Sequence, residues 1–145
     1  MAYNDLNSKL EEAMKSLVDA LALADVTVNT GATKSDLATP YVICSAPGGG
    51  QEEENLKGTG IYRHDAEVIV ASQLDDVTDM ATHRARVASV FDTFRDSAIT
   101  TSLSDAVDDF HVYDVDFMDS PMEEEERKVT NTLSMEIVCC ASDII

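Results

Sequence analysis

A change of hydrophobic period between Thr59 and Ala98 limits what this chain can fold into more than any other feature. From Ile61 to Ser72 the residues alternate: Tyr62, Ala66, Val68 and Val70 fall on one face, Arg63, Asp65 and Glu67 on the other. That period of two belongs to a half-buried strand. Gln73-Leu74-Asp75-Asp76 then turns the chain, with Asp75 or Asp76 placed to cap a helix. From there the apolar spacing becomes helical: Val77, Met80, Arg84 by its stem, Val87, Phe91, Phe94 and Ala98. The same periodicity turns Asp79, His83, Arg86 and Asp92 outward and ends the helix near 96–98. A long strand feeding directly into an amphipathic helix predicts a layered α+β domain.

The flanking segments extend this pattern. Leu6, Leu10, Met14 with Ala13, Leu17, Leu21 and Ala24 recur every three or four residues, predicting a first helix over 5–24. Thr27–Thr39 reads as a polar connection, and Tyr41-Val42-Ile43-Cys44 as a short strand begun after Pro40. A mobile loop is predicted at about 46–58, where Gly48, Gly49 and Gly50 supply little restraint and Glu52, Glu53 and Glu54 repel one another. Residues 99–107 have room for a short third helical turn. Phe110–Met118 then reads as a strand, with His111, Tyr113, Val115 and Phe117 on one face and Asp114 and Asp116 on the other. Ser120-Pro121 and Glu123-Glu124-Glu125-Glu126 make an exposed turn before a last strand over 129–141. The order α-β-β-α-β-β predicts one α+β domain over 1–145, a four-stranded antiparallel sheet packed with two main helices.

The 145 residues suffice for one core, and 44% hydrophobic against 26% charged residues excludes wholesale disorder. The N-terminus lacks a basic then apolar leader, and no apolar run approaches the roughly 20 residues of a membrane span. Cys44, Cys139 and Cys140 lie in apolar runs without a CxxC pair, which reads as buried thiols. The strongest compositional signal is charge: 28 acidic against 10 basic residues, a formal −18. Sequence-independent nucleic-acid binding needs a basic footprint, so neither DNA nor an acidic lipid surface is an expected ligand. Asp114, Asp116, Asp119 and Glu125 echo a calcium loop, but Asp119 stands where that loop requires glycine. His64, His83 and His111 lie far apart, and no nucleophile motif is present. No metal, no cofactor and no enzyme activity are expected. The scarce cations are the informative ones. Arg84, Arg86 and Arg95 share the second helix and Arg127 opens the last strand, suited to pairing with acids within the chain or on a neighbouring subunit.

The element order carries a resemblance. An N-terminal helix, a strand, a glycine-bearing loop and a strand reading Glu67-Val68-Ile69-Val70 come first. A helix containing His83-Arg84 and Arg86 follows, then an acidic strand and a closing strand with Thr132-Leu133-Ser134-Met135-Glu136-Ile137. This pattern, over residues 5–142, resembles the tail-terminator, or tail-completion, proteins of long-tailed phages and related tailed viruses. The resemblance implies a non-enzymatic ring, usually a hexamer, that caps the head-proximal end of the tail tube and docks on the neck. It implies a virion location, assembly in the host cytoplasm, tail-tube and head–tail connector proteins as partners, and DNA passing through without specific binding. The acidity suits a lumen that must not adhere to DNA, or a virus of a salt-loving host. A head–tail stopper or a tube subunit shares that ring geometry. A different class remains open beside it: a small acidic binding module, cation-dependent or a DNA mimic, that occupies a basic partner. The expected contact residues are Gly48–Gly50, Glu52–Glu54, Arg84, Arg86, Arg95, Glu123, Glu124, Glu125, Glu126 and Arg127.

Overall fold

The computed structural model describes residues 3–31, 39–46, 51–52, 61–75 and 79–140. Three helices, α1 (Tyr3–Asp19), α2 (Met80–Arg95) and α3 (Ile99–Ala106), cover one face of a mixed sheet. Its strands are β1 (Thr27–Thr30), β2 (Tyr41–Ser45), β3 (Gln51–Glu52), β4 (Tyr62–Gln73), β5 (His111–Asp119), β6 (Met122–Glu125) and β7 (Lys128–Cys140). The main path runs β1-β2-β4-β7-β5, with β3 added beside β4 and β6 beside β7. The fold is therefore α+β as expected, but the sheet is larger than four antiparallel strands. β1 lies within the stretch read as a polar connection and pairs in parallel with β2, from Thr27↔Tyr41 to Thr30↔Cys44. Its signal in the sequence is only the alternation of Val26 and Val28, too short to stand out against the surrounding threonines.

β4 and β7 form the spine, paired without interruption from Tyr62↔Cys139 to Gln73↔Lys128. At about 3.4 Å per residue, the 13 residues of β7 extend roughly 40 Å. Their inward residues, Ala66, Val68 and Val70 on β4 and Leu133, Met135, Ile137 and Cys139 on β7, meet the helices in one core. From α1, Leu6, Leu10, Ala13, Met14 and Val18 enter that core. Each such large aliphatic side chain contributes about 1.5–3 kcal/mol by leaving water. α1 ends at Asp19, before the expected Ala24, because Ala22 (φ 51°) and Asp25 (φ 60°) leave the helical region. Beyond that end Leu21 is only partly buried and Ala24 is exposed; Leu17, in the last turn, is also only partly buried.

α2 also differs from its expected form. Its N-cap is Asp79, whose side chain accepts from the Thr82 amide at 2.9 Å, and not Asp75; Asp76 lies outside the described residues. That donation, joined by the Thr82 hydroxyl, holds the Asp79 carboxyl below its ordinary value. The buried stripe is His83, Val90, Phe91 and Phe94, so Arg84 and Ala98 face solvent while His83 points inward. α3 is a true helix rather than a single turn. Its Ser104 hydroxyl donates to the Thr100 carbonyl (2.7 Å) and accepts from the Val112 amide (2.9 Å), binding α3 to the start of β5.

β5 and β6 follow one another along the free side of β7. Two register shifts, between Val112 and Asp114 and between Phe117 and Asp119, place Tyr113 and Met118 as extra residues on β5. These bulges defeat the simple alternation expected here: Val112 is buried in the core, whereas Tyr113 is exposed beside Cys140, 3.4 Å from its Sγ. The glutamate run is not a turn either. Glu123, Glu124 and Glu125 belong to β6, opposite Thr130, Val129 and Lys128. The turn itself is Glu126–Arg127, both left-handed (φ 50° and 66°), the conformation of a two-residue type I′ hairpin.

Candidate interaction surfaces

Four surfaces emerge from this frame, and the first is a buried polar clasp under α2. His83, with no exposed surface, sits between Ser72 of β4 and Asn131 of β7. Its Nδ1 is 2.8 Å from Ser72 Oγ, and its Nε2 is 2.7 Å from Asn131 Oδ1. Arg86 Nη1 donates to the same Ser72 Oγ at 3.2 Å. One proton arrangement satisfies every group. Arginine only donates, so Ser72 Oγ accepts from it and donates to Nδ1; Nε2–H then donates to the Asn131 carbonyl oxygen. Ser72 has no exposed surface, so this serine–histidine–asparagine line offers no nucleophile to a substrate. It fixes the first turns of α2 over two strands. Sequence periodicity had placed His83 outward; Ser72 and Asn131, 11 and 48 residues away, are what make its burial affordable.

The second surface is α2 itself. Arg84 and Arg95 are exposed, and among the described residues neither makes an ion pair, although Arg95 stacks 5.6 Å from the Phe91 ring centroid. Arg86 is half-buried in the clasp and borders a shallow groove with Leu23, Ala24, Thr82, Ala85 and Ser89. The three arginines thus share a helix but not a face.

The third is the hairpin tip. Glu123–Arg127 are all exposed. The tip is tied to the end of β4, where the Leu74 amide donates to the Arg127 carbonyl (2.8 Å) and Gln73 Nε2 donates to the Glu126 carbonyl (3.1 Å). The structure therefore brings Glu123–Arg127 and the start of α2 to one end of the sheet. Glu52 lies in β3 opposite Tyr62, while Gly48, Gly49, Gly50, Glu53 and Glu54, and with them most of the expected mobile loop, lie outside the described residues. Ala46, just before that stretch, is buried, and its amide donates to Glu11 Oε2 at 2.9 Å.

The fourth is the sheet face away from the helices. Along one half, Tyr41, Ile43 and Ala71 form a small apolar cluster with Ile69, and Lys128 Nζ lies 5.1 Å from the Tyr41 ring centroid. Along the other, Asp65 stands directly opposite Glu136, and Asp116 faces Glu136 from β5. Arg63 reaches across at 3.7 Å from Glu136 and 4.0 Å from Asp116. These partners are exposed enough that each pair contributes under about 1 kcal/mol. They relieve local repulsion more than they hold strands together.

The three cysteines are free and buried. Burial pushes the Cys44 and Cys139 thiols up to about 12, far from a reactive thiolate. His64 is fully buried on β4, and desolvation lowers its basicity against the opposing pull of neighbouring Asp65. What sequence reasoning missed is an apolar edge: Tyr113, Phe117, Met118 and Met122 are all exposed. Its one signal was two aromatic residues and two methionines within an otherwise acidic stretch.

No protein-family model and no curated protein matches this chain. Among solved structures it is similar to a chain in the virion of a native gene transfer agent (GTA) particle, with a TM-score of 0.50 and 17% identity. The match covers 96% of this chain and 95% of that one, so at this low identity what the two share, from end to end, is the fold.

Proposed function

We propose that this chain is a structural virion protein that forms a ring at the head-proximal end of a viral tail tube. There it stops tube growth and joins tail to neck, without enzyme activity. The observation that carries the reading is the end-to-end likeness in fold to a chain of a virion particle, covering 96% of this chain. The element order of the sequence supports the finer position, and the surface supports assembly over chemistry. Among the described residues, the buried Ser72–His83–Asn131 network has no open approach to its serine, and Arg84 and Arg95, exposed on α2, form no ion pair. A formal charge of −18 on each copy suits a ring through which DNA slides without adhering.

Native mass spectrometry and negative-stain imaging of the full chain, alone and with isolated tail tubes, test the reading. The expected result is a closed ring, six-fold by the family resemblance, seated at one end of the tube. A strict monomer that ignores tube ends would refute it, and a monomer that instead forms a one-to-one complex with a basic protein would favour an acidic binding module.

A further inference from the structure

Two short strands border the sheet at one level, each with a strand neighbour on one side only among the described residues: β1 beside β2, and β6 beside β7. A single cross-strand row joins them. Val28 pairs with Val42, Val42 with Val70, Val70 with Asn131 and Asn131 with Met122. The first step of this row is parallel and the other three are antiparallel, so β1 and β6 run in opposite directions.

The backbone phase of the two borders also agrees. The Thr27 and Gly31 amides donate inward, to the Pro40 and Cys44 carbonyls, so alternation turns the amide and carbonyl of Val28 away from β2. On β6 the Pro121 carbonyl accepts from the Thr132 amide, which turns the amide and carbonyl of Met122 away from β7. Val28 and Met122 therefore each offer one donor and one acceptor outward from the same row. Their side chains also share a face: Val28 packs against the core beneath the helices, and Met122 stands beside Asn131, whose amide reaches His83 under α2. Met122 is 51% exposed, an apolar side chain with room for a cover. Charge does not oppose the match. β1 reads Thr-Val-Asn-Thr, uncharged in a chain where 26% of residues carry charge, and it has neither the proline nor the bulge that commonly guards a sheet edge. Asp25, left-handed at φ 60°, leaves the extended line before the position that would oppose Glu125.

We infer that β1 of one copy adds antiparallel to the outer edge of β6 of the next, with Val28 opposite Met122, so that the sheet continues from subunit to subunit. A closed ring needs two different surfaces at one height, and these two edges share a row of the same sheet. The bonds are main-chain bonds, as in other strand additions, and Met122 gains cover from Val28 across the junction. Acids on β6 meet threonine and asparagine there, which lets copies of charge −18 approach. This inference rests on the ring reading above and names the strands that make it.

The test is a disulfide placed across the junction in the full chain, Val28→Cys/Met122→Cys. A hydrogen-bonded antiparallel pair holds its Cα atoms about 5.5 Å apart, within disulfide range. Within one chain the two positions are four strand spacings apart, about 19 Å, which no disulfide spans. The native cysteines are buried. Mild oxidation should give covalent multimers up to a closed ring on non-reducing gels. Val28→Cys/Glu123→Cys, which moves the second thiol to the other face, should give at least about tenfold less. Met122→Pro, which removes an outward amide and no bond to β7, should weaken self-association at least about tenfold in sedimentation while keeping wild-type circular dichroism. Wild-type rings without cross-linking in the first variant, or Met122→Pro rings as stable as wild type, would overturn the strand assignment while leaving the ring reading standing. A wild-type chain that is monomeric both alone and with tail tubes would overturn both.

Discussion

Removing the carbonyl partner of His83 is a sharp perturbation, because it leaves one buried polar atom with nothing to bond. In Asn131→Leu the Nε2–H loses its acceptor at 2.7 Å while the ring stays under α2 with no exposed surface. An orphaned buried donor costs about 1–3 kcal/mol, and about 2 is expected here because Asn131 is half-buried and some water can enter. His83→Leu should cost less, about 1 kcal/mol, since Ser72 keeps its bond from Arg86 and Asn131 can be hydrated. The double variant replaces both partners with apolar groups and should cost no more than Asn131→Leu alone, a coupling of about 1–2 kcal/mol. Urea unfolding followed by circular dichroism reads these differences, at one protein concentration because assembly makes stability depend on it. Hydrogen exchange should show the first turns of α2 opening in Asn131→Leu while β4 and β7 stay protected. Additive costs, or a single cost below about 0.5 kcal/mol, would show that α2 is seated by its aromatic residues alone and that the clasp is incidental.

Two further outcomes follow from the core and the turn. His64 has a lowered pKa when folded, against an ordinary 6.5 when unfolded, so the unfolded chain takes up its proton first as pH falls. Wild type should therefore lose stability relative to His64→Leu as pH drops below about 6.5, in paired urea titrations; parallel curves would mean the buried imidazole is not the titrating group. Replacing Glu126–Arg127 with Asn–Gly suits the two positive φ angles and leaves the carbonyls that accept from Leu74 and Gln73 in place. It should raise stability by about 0.5–1 kcal/mol in urea unfolding, and a loss would show that the side chains, not the backbone, hold the tip.

How far the sequence was legible depends on how local each cause was. β4 was readable because Tyr62, Ala66, Val68 and Val70 alternate with Arg63, Asp65 and Glu67 along its first nine residues. α1 was readable in position but not in length, because its last apolar residues continue the pattern after the backbone has left the helix at Ala22. β5 misled because two bulges shift the parity of its faces, and a bulge is a property of the pair of strands rather than of either one. His83 misled for the same reason: a histidine on a helix is polar until two distant strands supply a hydroxyl and an amide. The arginines of α2 stood out in the sequence as scarce cations. That two are exposed and the third is held by Ser72 needed coordinates.

The tip of the long hairpin is mechanically continuous with the helix that follows β4. The Arg127 and Glu126 carbonyls hold Leu74 and Gln73, and Ser72 and Asn131, just behind, hold His83. The turn and the opening turns of α2 are therefore joined by two sets of hydrogen bonds at the same end of the sheet. The hairpin strands extend roughly 40 Å, and only their turn end is tied to a helix in this way among the described residues. A substitution that loosens residues 126–127 should therefore be felt first in the opening turns of α2, as faster amide exchange there than in the middle of β4 or β7.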